Sequence, residues 1–472
     1  MMPGPFAAAG RPTPASMFFE VMSATRASAA EISRLQRSRL LRLLQAAQRA
    51  PLYHRLLHGR DLASLPLEAL PVMGKVQLMA HFADTCTEPD VTLDELREFC
   101  ADPSLIGQPC RGHRWVWESS GSTGQPGIFV HDETAMAVYD ALEACRRHAP
   151  RPWARFLDPL GLAERWAFVG AIGGHFASVV TVRRLCTLQP WLGRNWRCFS
   201  ILQPTPALVA ELNDFAPTVL ATYPTAAVML AGEAQRGSLR GRPQEVWTGG
   251  ETLSPAMRAC IAHAFGAELR NSYGASEFLP IALECAHQRL HVNADWVILE
   301  AVDTHHHPVP AGQLSHTTLL TNLANHLQPL IRFDIGDRIV LGGERCPCGS
   351  ALPVIQVQGR NDDMLVVAGH AGEPVTLLPL ALSTVLEDEA GVFDFQLRQT
   401  GQHALELLLG PGAPATAAVH ERCRKLLADF CAAQGAAKLK VTSQNVDHLP
   451  LGRSGKLKRI VAGPGVRAAL RA

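Results

Sequence analysis

The sequence predicts an α/β protein: a large N-terminal domain of layered α/β subdomains, then a small, mobile α+β domain at the C-terminus. Three observations predict it. Through the middle of the chain, apolar runs alternate with helix-length segments ("ERWAFVGAIGG", "ALVAELNDFA", "TVLATYPTAAVMLAGEAQ", "PQEVWTGGE", "AMRACIAHAFGAELRNSYG"). That alternation favours largely parallel strands under helices, with ligands gathering at the strand ends. From "DWVILEAVD" to "PVIQVQGR" the pattern turns to shorter strands and glycine-punctuated turns. After Gly359 the chain begins again with strand, helix and strand ("MLVVAG", "HERCRKLLADFCAAQ", "KLKVTSQNV"). A boundary is therefore expected at Gly359–Asp362, dividing residues 17–359 from residues 360–472.

In chain order, residues 1–16 are rich in Pro, Gly and Ala and predict a mobile tail. Ile32 to Ala50 carries apolar residues at helical spacing with basic residues opposite, which predicts a surface helix stopped by Pro51. No internal repeat is evident. The 472 residues, 47% of them hydrophobic, suffice for a large core and a second domain. A net charge of +1 gives no electrostatic footprint for nucleic acid or an anionic membrane. The twelve cysteines follow no disulfide framework, and several, such as Cys186 and Cys260, sit in apolar stretches that favour reduced thiols. The N-terminus lacks the basic start and apolar core of a secretory signal, and no apolar run is long enough to span a membrane. A cytoplasmic protein is expected.

The stretch "ESSGSTGQPG" (Glu118 to Gly127) has the glycines and hydroxyls of a phosphate-binding loop but no lysine. Ser/Gly/Pro clusters are also the usual composition of surface turns, so alone it decides nothing. Further along, "NSYGASE" presents Tyr273, Gly274, Ala275 and Glu277, and "PLIRFDIGD" puts Asp337 after a glycine, with Arg332 as the nearby cation. "GRNDD" places Arg360 and Asp362 on the expected boundary, and "LPLGRSGKLKRI" sets Lys456 in a Ser-Gly turn. A P-loop NTPase is excluded, since no G-x-x-x-x-G-K-[ST] occurs.

Taken in this order over nearly the whole chain, these motifs resemble those of the adenylate-forming superfamily: acyl-CoA synthetases, adenylation domains and luciferases. "LLQAAQRAPLYHRLL" followed by "LPVMGKVQL", "ATYPTAAVMLA" and "ERCPCGS" look most like the phenylacetate–CoA ligase branch. The resemblance implies activation of a carboxylic acid, aromatic or short and apolar, by ATP, with transfer of the acyl group to coenzyme A. Acceptance by a carrier protein acting in trans (no carrier domain follows Ala472), by a reductase or by an amine is the alternative. A non-catalytic nucleotide-binding homologue is a third reading. A homodimer is an allowed assembly, and no nucleic acid or membrane partner is implied.

By that resemblance, Ser119, Ser120, Gly121, Ser122, Thr123 and Gly124 would offer hydroxyls and backbone N–H groups to phosphates. Relatives usually carry a lysine where Gly127 stands here, so Mg²⁺, held by Glu277, would carry more of the charge. Gly249, Gly250 and Glu251 would form the adenine-side wall, with Tyr273 stacking on the base and Gly274 beside it. Asp337 would accept from the ribose hydroxyls, with Arg360 beside it. Lys456 would bridge the substrate carboxylate and the α-phosphate, and Asp362 would be the hinge. Gly173, His175, Phe176, Tyr223 and Ala275 would line the acyl pocket. Cys-x-Cys on a tight turn plus a distant Cys/His pair can complete a zinc site. Cys285, His291, Cys346 and Cys348 are expected to hold a closed, structural Zn²⁺, with His287 the competing ligand.

Overall fold

The computed structural model describes residues 13–119, 126–147, 158, 163–343, 345–360, 365–370, 374–377, 379–414, 416–451 and 457–463. A nine-stranded sheet forms its centre. Five strands run parallel, in the spatial order Trp196–Ser200, Trp166–Gly170, Val219–Thr222, Glu245–Gly249 and Glu268–Ala275. The sheet continues antiparallel through Phe278–Glu284, Leu290–Val292, Val354–Arg360 and Asp337–Gly342. The parallel half is the one the alternating middle of the sequence predicts.

Strand periodicity decides what each face meets. Ala167, Val169, Leu220, Val246 and Leu269 point to one face and form a core with Leu212, Leu230, Ile261 and Phe265 of the covering helices. Their neighbours Phe168, Ala221 and Trp247 are register partners on the other face, and there they line a large cavity. The same strands thus build core with one face and site with the other.

From Leu365 to Ala462 a separate hydrophobic cluster forms, including Leu382, Phe395, Leu407, Cys423 and Leu427. It joins the helix Ala417–Ala433 to a four-stranded sheet in the order Lys440–Asn445, Ala404–Leu409, Phe395–Gly401, Ile460–Val461. The last strand pairs parallel with Phe395–Gly401, which fixes the chain just after Lys456. Among the described residues, no helix is long and apolar enough to cross a membrane.

Two expectations near the N-terminus need correction. A helix, Pro14–Ala24, begins inside the stretch expected to be tail, because Thr13 caps it and Pro14 suits the first helical turn. Pro51 does not simply stop a surface helix. The helix Ala29–Ala47 ends before it, and Pro51 opens the next helix, Pro51–Leu57, from its N-terminal position. Nor is the basic side of Ala29–Ala47 wholly solvated: Arg39 is buried, pairs with Asp295 at 2.9 Å and lies 3.5 Å over the Trp296 ring.

A candidate active site and a Cys/His cluster

Five of the sequence motifs reach one cavity of about 2250 Å³ at the C-terminal ends of the parallel strands. Ser119, Gly249, Gly250, Glu251, Tyr273, Gly274, Ala275, Glu277 and Asp337 all line it, as do Phe176 and Tyr223. Ser119 and Gly127 close the base of the glycine loop: the Ser119 N–H donates to the Gly127 carbonyl, and the Gly127 N–H to Ser119 Oγ, both at 2.8 Å. Ser120, Gly121, Ser122, Thr123 and Gly124 lie outside the described residues, as do Asp362 and Lys456.

Strand geometry explains the glycines. A Cβ on Gly274 would stand 1.9 Å from the Leu279 carbonyl oxygen, so the bulged hairpin between Glu268–Ala275 and Phe278–Glu284 closes only over glycine. Gly250 has φ +78°, a turn that frees Glu251 from the end of its strand. The Tyr273 hydroxyl donates to Asp337 Oδ2 at 2.5 Å, tying together two motifs 64 residues apart. Asp337 is also the register partner of Arg360, which puts that backbone beside it. Glu277 is half-buried, and its carbonyl accepts from Asn322 Nδ2 at 2.8 Å.

Glu251 joins the two ends of the protein. Its Oε2 accepts from the Thr225 N–H at 3.1 Å and from the Thr225 hydroxyl at 2.8 Å, while its Oε1 accepts from the Leu457 N–H at 3.2 Å. Leu457 directly follows Lys456, so the segment expected to carry the catalytic lysine arrives at the cavity wall. Ser254 caps the helix Pro255–Phe265 and donates to Glu387, which also pairs with Arg459. A buried carboxylate at a helix N-terminus is favoured by the helix dipole. This contact is invisible in the sequence: Ser254 closes the motif "WTGGETLS", expected as an adenine-side wall, but Glu387 belongs to no motif.

Three expectations shift. His175 does not face the cavity: it is buried, its Nδ1 lies 3.1 Å from the Cys100 carbonyl, and its ring packs against Phe99. Burial pushes its pKa down, which suits a neutral wall residue. Gly173 is exposed and also stands apart from the cavity lining. Arg332, expected only as the cation near Asp337, is engaged elsewhere. Its guanidinium pairs with Glu300 at 3.0 Å and donates to the Leu70 carbonyl at 2.9 Å, fastening the segment before Gly74 to the body.

Sequence reasoning missed Lys75, which the motif "LPVMGKVQL" contained without a role. It lines the cavity, and its Cδ is 3.1 Å from where a Cβ on Gly127 would stand. A side chain at 127 would be tight against the Lys75 stem and the Phe129 ring, at 3.1 Å from each. Glu118, with a buried side chain at the loop's entry, is a second cavity residue the reading passed over.

The Cys/His cluster forms as expected. The ligand atoms of Cys285, His291, Cys346 and Cys348 lie within 4.8 Å of one another. Cys285 Sγ and Cys346 Sγ are 3.7 Å apart, and Cys348 Sγ is 3.3 Å from His291 Nε2. Around a tetrahedral Zn²⁺ with bonds of about 2.3 Å to sulfur and 2.0 Å to nitrogen, such spacings are close to what the geometry requires. His291 Nδ1 lies 3.0 Å from the Leu352 carbonyl, the arrangement that turns Nε2 inward as ligand. His287 is exposed and offers only its backbone N–H to Cys285 Sγ, at 3.3 Å. The cluster ties the turn after Phe278–Glu284 to the connection before Val354–Arg360, whose strand pairs with His291.

No family model matches the chain. Protein CapK of Staphylococcus aureus is 28% identical over 162 residues, 33% of this chain. The match spans about a third of that curated relative, 34% of its length. Among solved structures, 2-hydroxyisobutyryl-CoA ligase in its postadenylation state is similar over 95% of this chain and 93% of its own, with TM-score 0.69 and 20% identity. The same ligase in an open conformation and in its thioesterification state matches at 0.55 and 0.54. Fatty acyl-adenylate ligases from E. coli and L. pneumophila match at 0.51, with 12% identity, over 73% of this chain and 67% of theirs. The chain has the fold of the adenylate-forming enzymes.

Proposed function

We propose that the protein activates a carboxylic acid, aromatic or short and apolar, with ATP and transfers the acyl group to the thiol of coenzyme A. One observation carries the reading: Ser119, Gly249–Glu251, Tyr273–Glu277 and Asp337 converge on a single cavity, to which Glu251 docks the residue after Lys456. A carboxylate oxygen would attack the α-phosphorus of ATP, and the bond from that phosphorus to the β-phosphate oxygen would break, releasing pyrophosphate. The thiol sulfur would then attack the acyl carbonyl, the acyl–phosphate C–O bond would break, AMP would leave, and the thiol proton would pass to solvent. Two anions must meet in the first step, so catalysis is positioning plus cations. The division at Gly359–Asp362, with Asp362 as hinge and Lys456 on the C-terminal body, belongs to this same reading. Acid-dependent exchange of labelled pyrophosphate into ATP over a panel of acids tests it. Silence across the panel would favour a nucleotide-binding protein without this chemistry.

Mg²⁺, when bound, would neutralise phosphate charge, and Glu277 would be the carboxylate that holds it. Lys75 would supply the fixed cation that the glycine loop lacks. Lys75→Met is expected to raise the KM for ATP about tenfold and to raise the Mg²⁺ concentration at half-maximal exchange, since one phosphate charge is lost. Exchange kinetics titrated with ATP and Mg²⁺ check this. An unchanged ATP KM and Mg²⁺ dependence would leave Lys75 a packing residue.

The Cys/His cluster would hold one structural Zn²⁺ through Cys285, His291, Cys346 and Cys348. It would pin the strands that present Asp337 and Arg360, with no open position for chemistry. Protein purified without added metal should contain about one equivalent of zinc by elemental analysis. A Cys346→Ser/Cys348→Ser variant should lose the metal and melt at lower temperature. A zinc-free wild type that is equally stable to chelator would remove the idea.

A further inference from the structure

The hairpin that presents Glu277 closes on a turn that its own backbone does not favour. Ala275 and Phe278 are register partners, so Ser276 and Glu277 form the whole loop between the strands Glu268–Ala275 and Phe278–Glu284. Two-residue hairpin loops match the twist of their strands when one or both central residues have positive φ. Neither Ser276 nor Glu277 has a positive φ. A turn of this kind splays the strands it joins, and it needs holding from outside. Two side chains hold it. The Trp117 Nε1–H donates to the Ser276 carbonyl at 2.7 Å, and Asn322 Nδ2 donates to the Glu277 carbonyl at 2.8 Å. Both side chains are fully buried, so neither donor has water as an alternative partner.

Both donors are fixed in direction. Asn322 Oδ1 accepts from the Ala324 and Asn325 N–H groups, at 2.9 and 3.2 Å, which sets the amide with Nδ2 towards Glu277. The same Nδ2 donates to the Tyr139 hydroxyl at 2.9 Å, and that hydroxyl lies 3.3 Å from His131 Nδ1. Asn325 Oδ1 accepts from the Leu327 and Gln328 N–H groups, so its Nδ2, also 3.3 Å from His131 Nδ1, faces that nitrogen as a donor. His131 Nδ1 must therefore be an acceptor. Burial agrees: it pushes the His131 pKa down to about 3, so the ring is neutral. That ring stacks on Trp117, with 3.9 Å between centroids and 28° between planes, and so orients the indole. Trp117 belongs to the strand Trp115–Glu118, two residues before Ser119 at the base of the glycine loop. One indole N–H thus ties the strand leading into that loop to the turn carrying Glu277, across 159 residues from Trp117 to Ser276. Ser119 and Glu277 line the same cavity, and a hydroxyl and a carboxylate are the oxygen donors that a hard cation takes.

We infer that Trp117 and Asn322 are positioning residues, which set the Glu277 turn against the glycine loop so that both grip one metal–triphosphate. This rests on the adenylate-forming reading above and adds to it two residues that do not themselves line the cavity. The test follows ATP binding by calorimetry across a Mg²⁺ titration, with no acid present. Mn²⁺ bound in the presence of ATP, read by electron paramagnetic resonance, is the second measurement. Trp117→Phe keeps a ring for His131 to stack on and loses the donor. It should raise the Mg²⁺ concentration at half-maximal ATP binding about three- to tenfold, the effect of one hydrogen bond, and weaken Mn²⁺ binding by a similar factor. Asn322→Ala should do the same from the other carbonyl. Tyr139→Phe is the control: it removes the hydroxyl beside Asn322 but keeps both turn contacts, so it should lower the melting temperature and move neither metal response. A purely structural role would lower the melting temperature in all three variants and move the metal response in none. Adding Trp117→Phe to Glu277→Ala should change the Mg²⁺ dependence no further, because the indole acts through Glu277. An unmoved metal response in folded Trp117→Phe and Asn322→Ala, or a full additional effect in the Glu277→Ala background, would overturn the proposal. Failure of both variants to fold would assign the contacts to stability and overturn it as well. Wild type that binds ATP equally with and without Mg²⁺ would also overturn it, and leave the adenylate reading to the exchange assay. Wild type that binds no ATP at all would sink that reading, and this proposal with it.

Discussion

Lys456→Ala is expected to lower adenylation by about 10²–10³-fold, the usual effect of removing one preorganised charge from a transition state. The argument starts from repulsion. A carboxylate and a triphosphate approach each other as anions, and a cation between the attacking oxygen and the α-phosphate is worth most at the moment they meet. Lys456 lies outside the described residues, but its immediate neighbour does not. The Leu457 N–H reaches Glu251 at 3.2 Å, and Leu457, Lys458, Arg459 and Ile460 all line the cavity. Glu251 is in turn fixed by Thr225, so the approach of this segment is set by hydrogen bonds rather than left to diffusion. The thioester step has no such need, because AMP is already a good leaving group once the adenylate exists. Supplied with a presynthesised acyl-adenylate, the same variant should therefore make the thioester at a near-normal rate. Single-turnover kinetics of the two half-reactions measure both. Equal loss of both would argue that the turn around Lys456 is structural.

The fold was legible wherever pattern and burial agree. The parallel half of the sheet follows from apolar runs such as "WAFVG", every residue of which is buried, although only one face packs under helices and the other lines the cavity. The Cys/His cluster was legible because Cys-x-Cys on a glycine turn is a common metal-site pattern, and the structure gathers His291 rather than exposed His287 with the three cysteines. Pro51 was misread because a proline that ends one helix is equally suited to start another. His175 was misread because a histidine among glycines carries no signal for which wall it faces. Arg332 and Arg39 looked like surface or ligand cations, yet each is buried against a carboxylate that lies far away in sequence. Lys75 and Glu387 share that cause: their partners come from strands and loops tens to hundreds of residues distant. Motif order can bring residues to one site, but only tertiary contact shows which neighbour fills the gap a motif leaves. Lys75 beside Gly127 is the clearest case, since the departure from the family pattern was visible and the lysine lying next to it was not.

Asp362→Pro should do the opposite of Lys456→Ala: adenylation survives and thioester formation fails. The docked arrangement described here is held by the Glu251 contact to Leu457 and by Ser254 on Glu387, at the capped start of Pro255–Phe265. These contacts bring the residue after Lys456 to the cavity wall. The second arrangement that the proposed hinge implies would break both, at the expense of one backbone and one side-chain hydrogen bond, about 1–3 kcal/mol in total. That is small enough for binding of the thiol substrate to offset. What must not fail is the backbone rotation at the boundary. Asp362 itself lies outside the described residues, between the strands Val354–Arg360 and Leu365–Ala368, and Gly359, near the end of the first, has φ +93°. Proline fixes φ near −65° and constrains the residue before it, so rotation at this point would be blocked while the docked arrangement is kept. Pyrophosphate exchange should stay within a few-fold of wild type, and thioester formation from presynthesised adenylate should fall by about two orders of magnitude or more. If exchange is lost as well, the proline has disturbed the docked arrangement. Normal rates of both steps would mean that the hinge lies elsewhere, with Gly359 the next position to change.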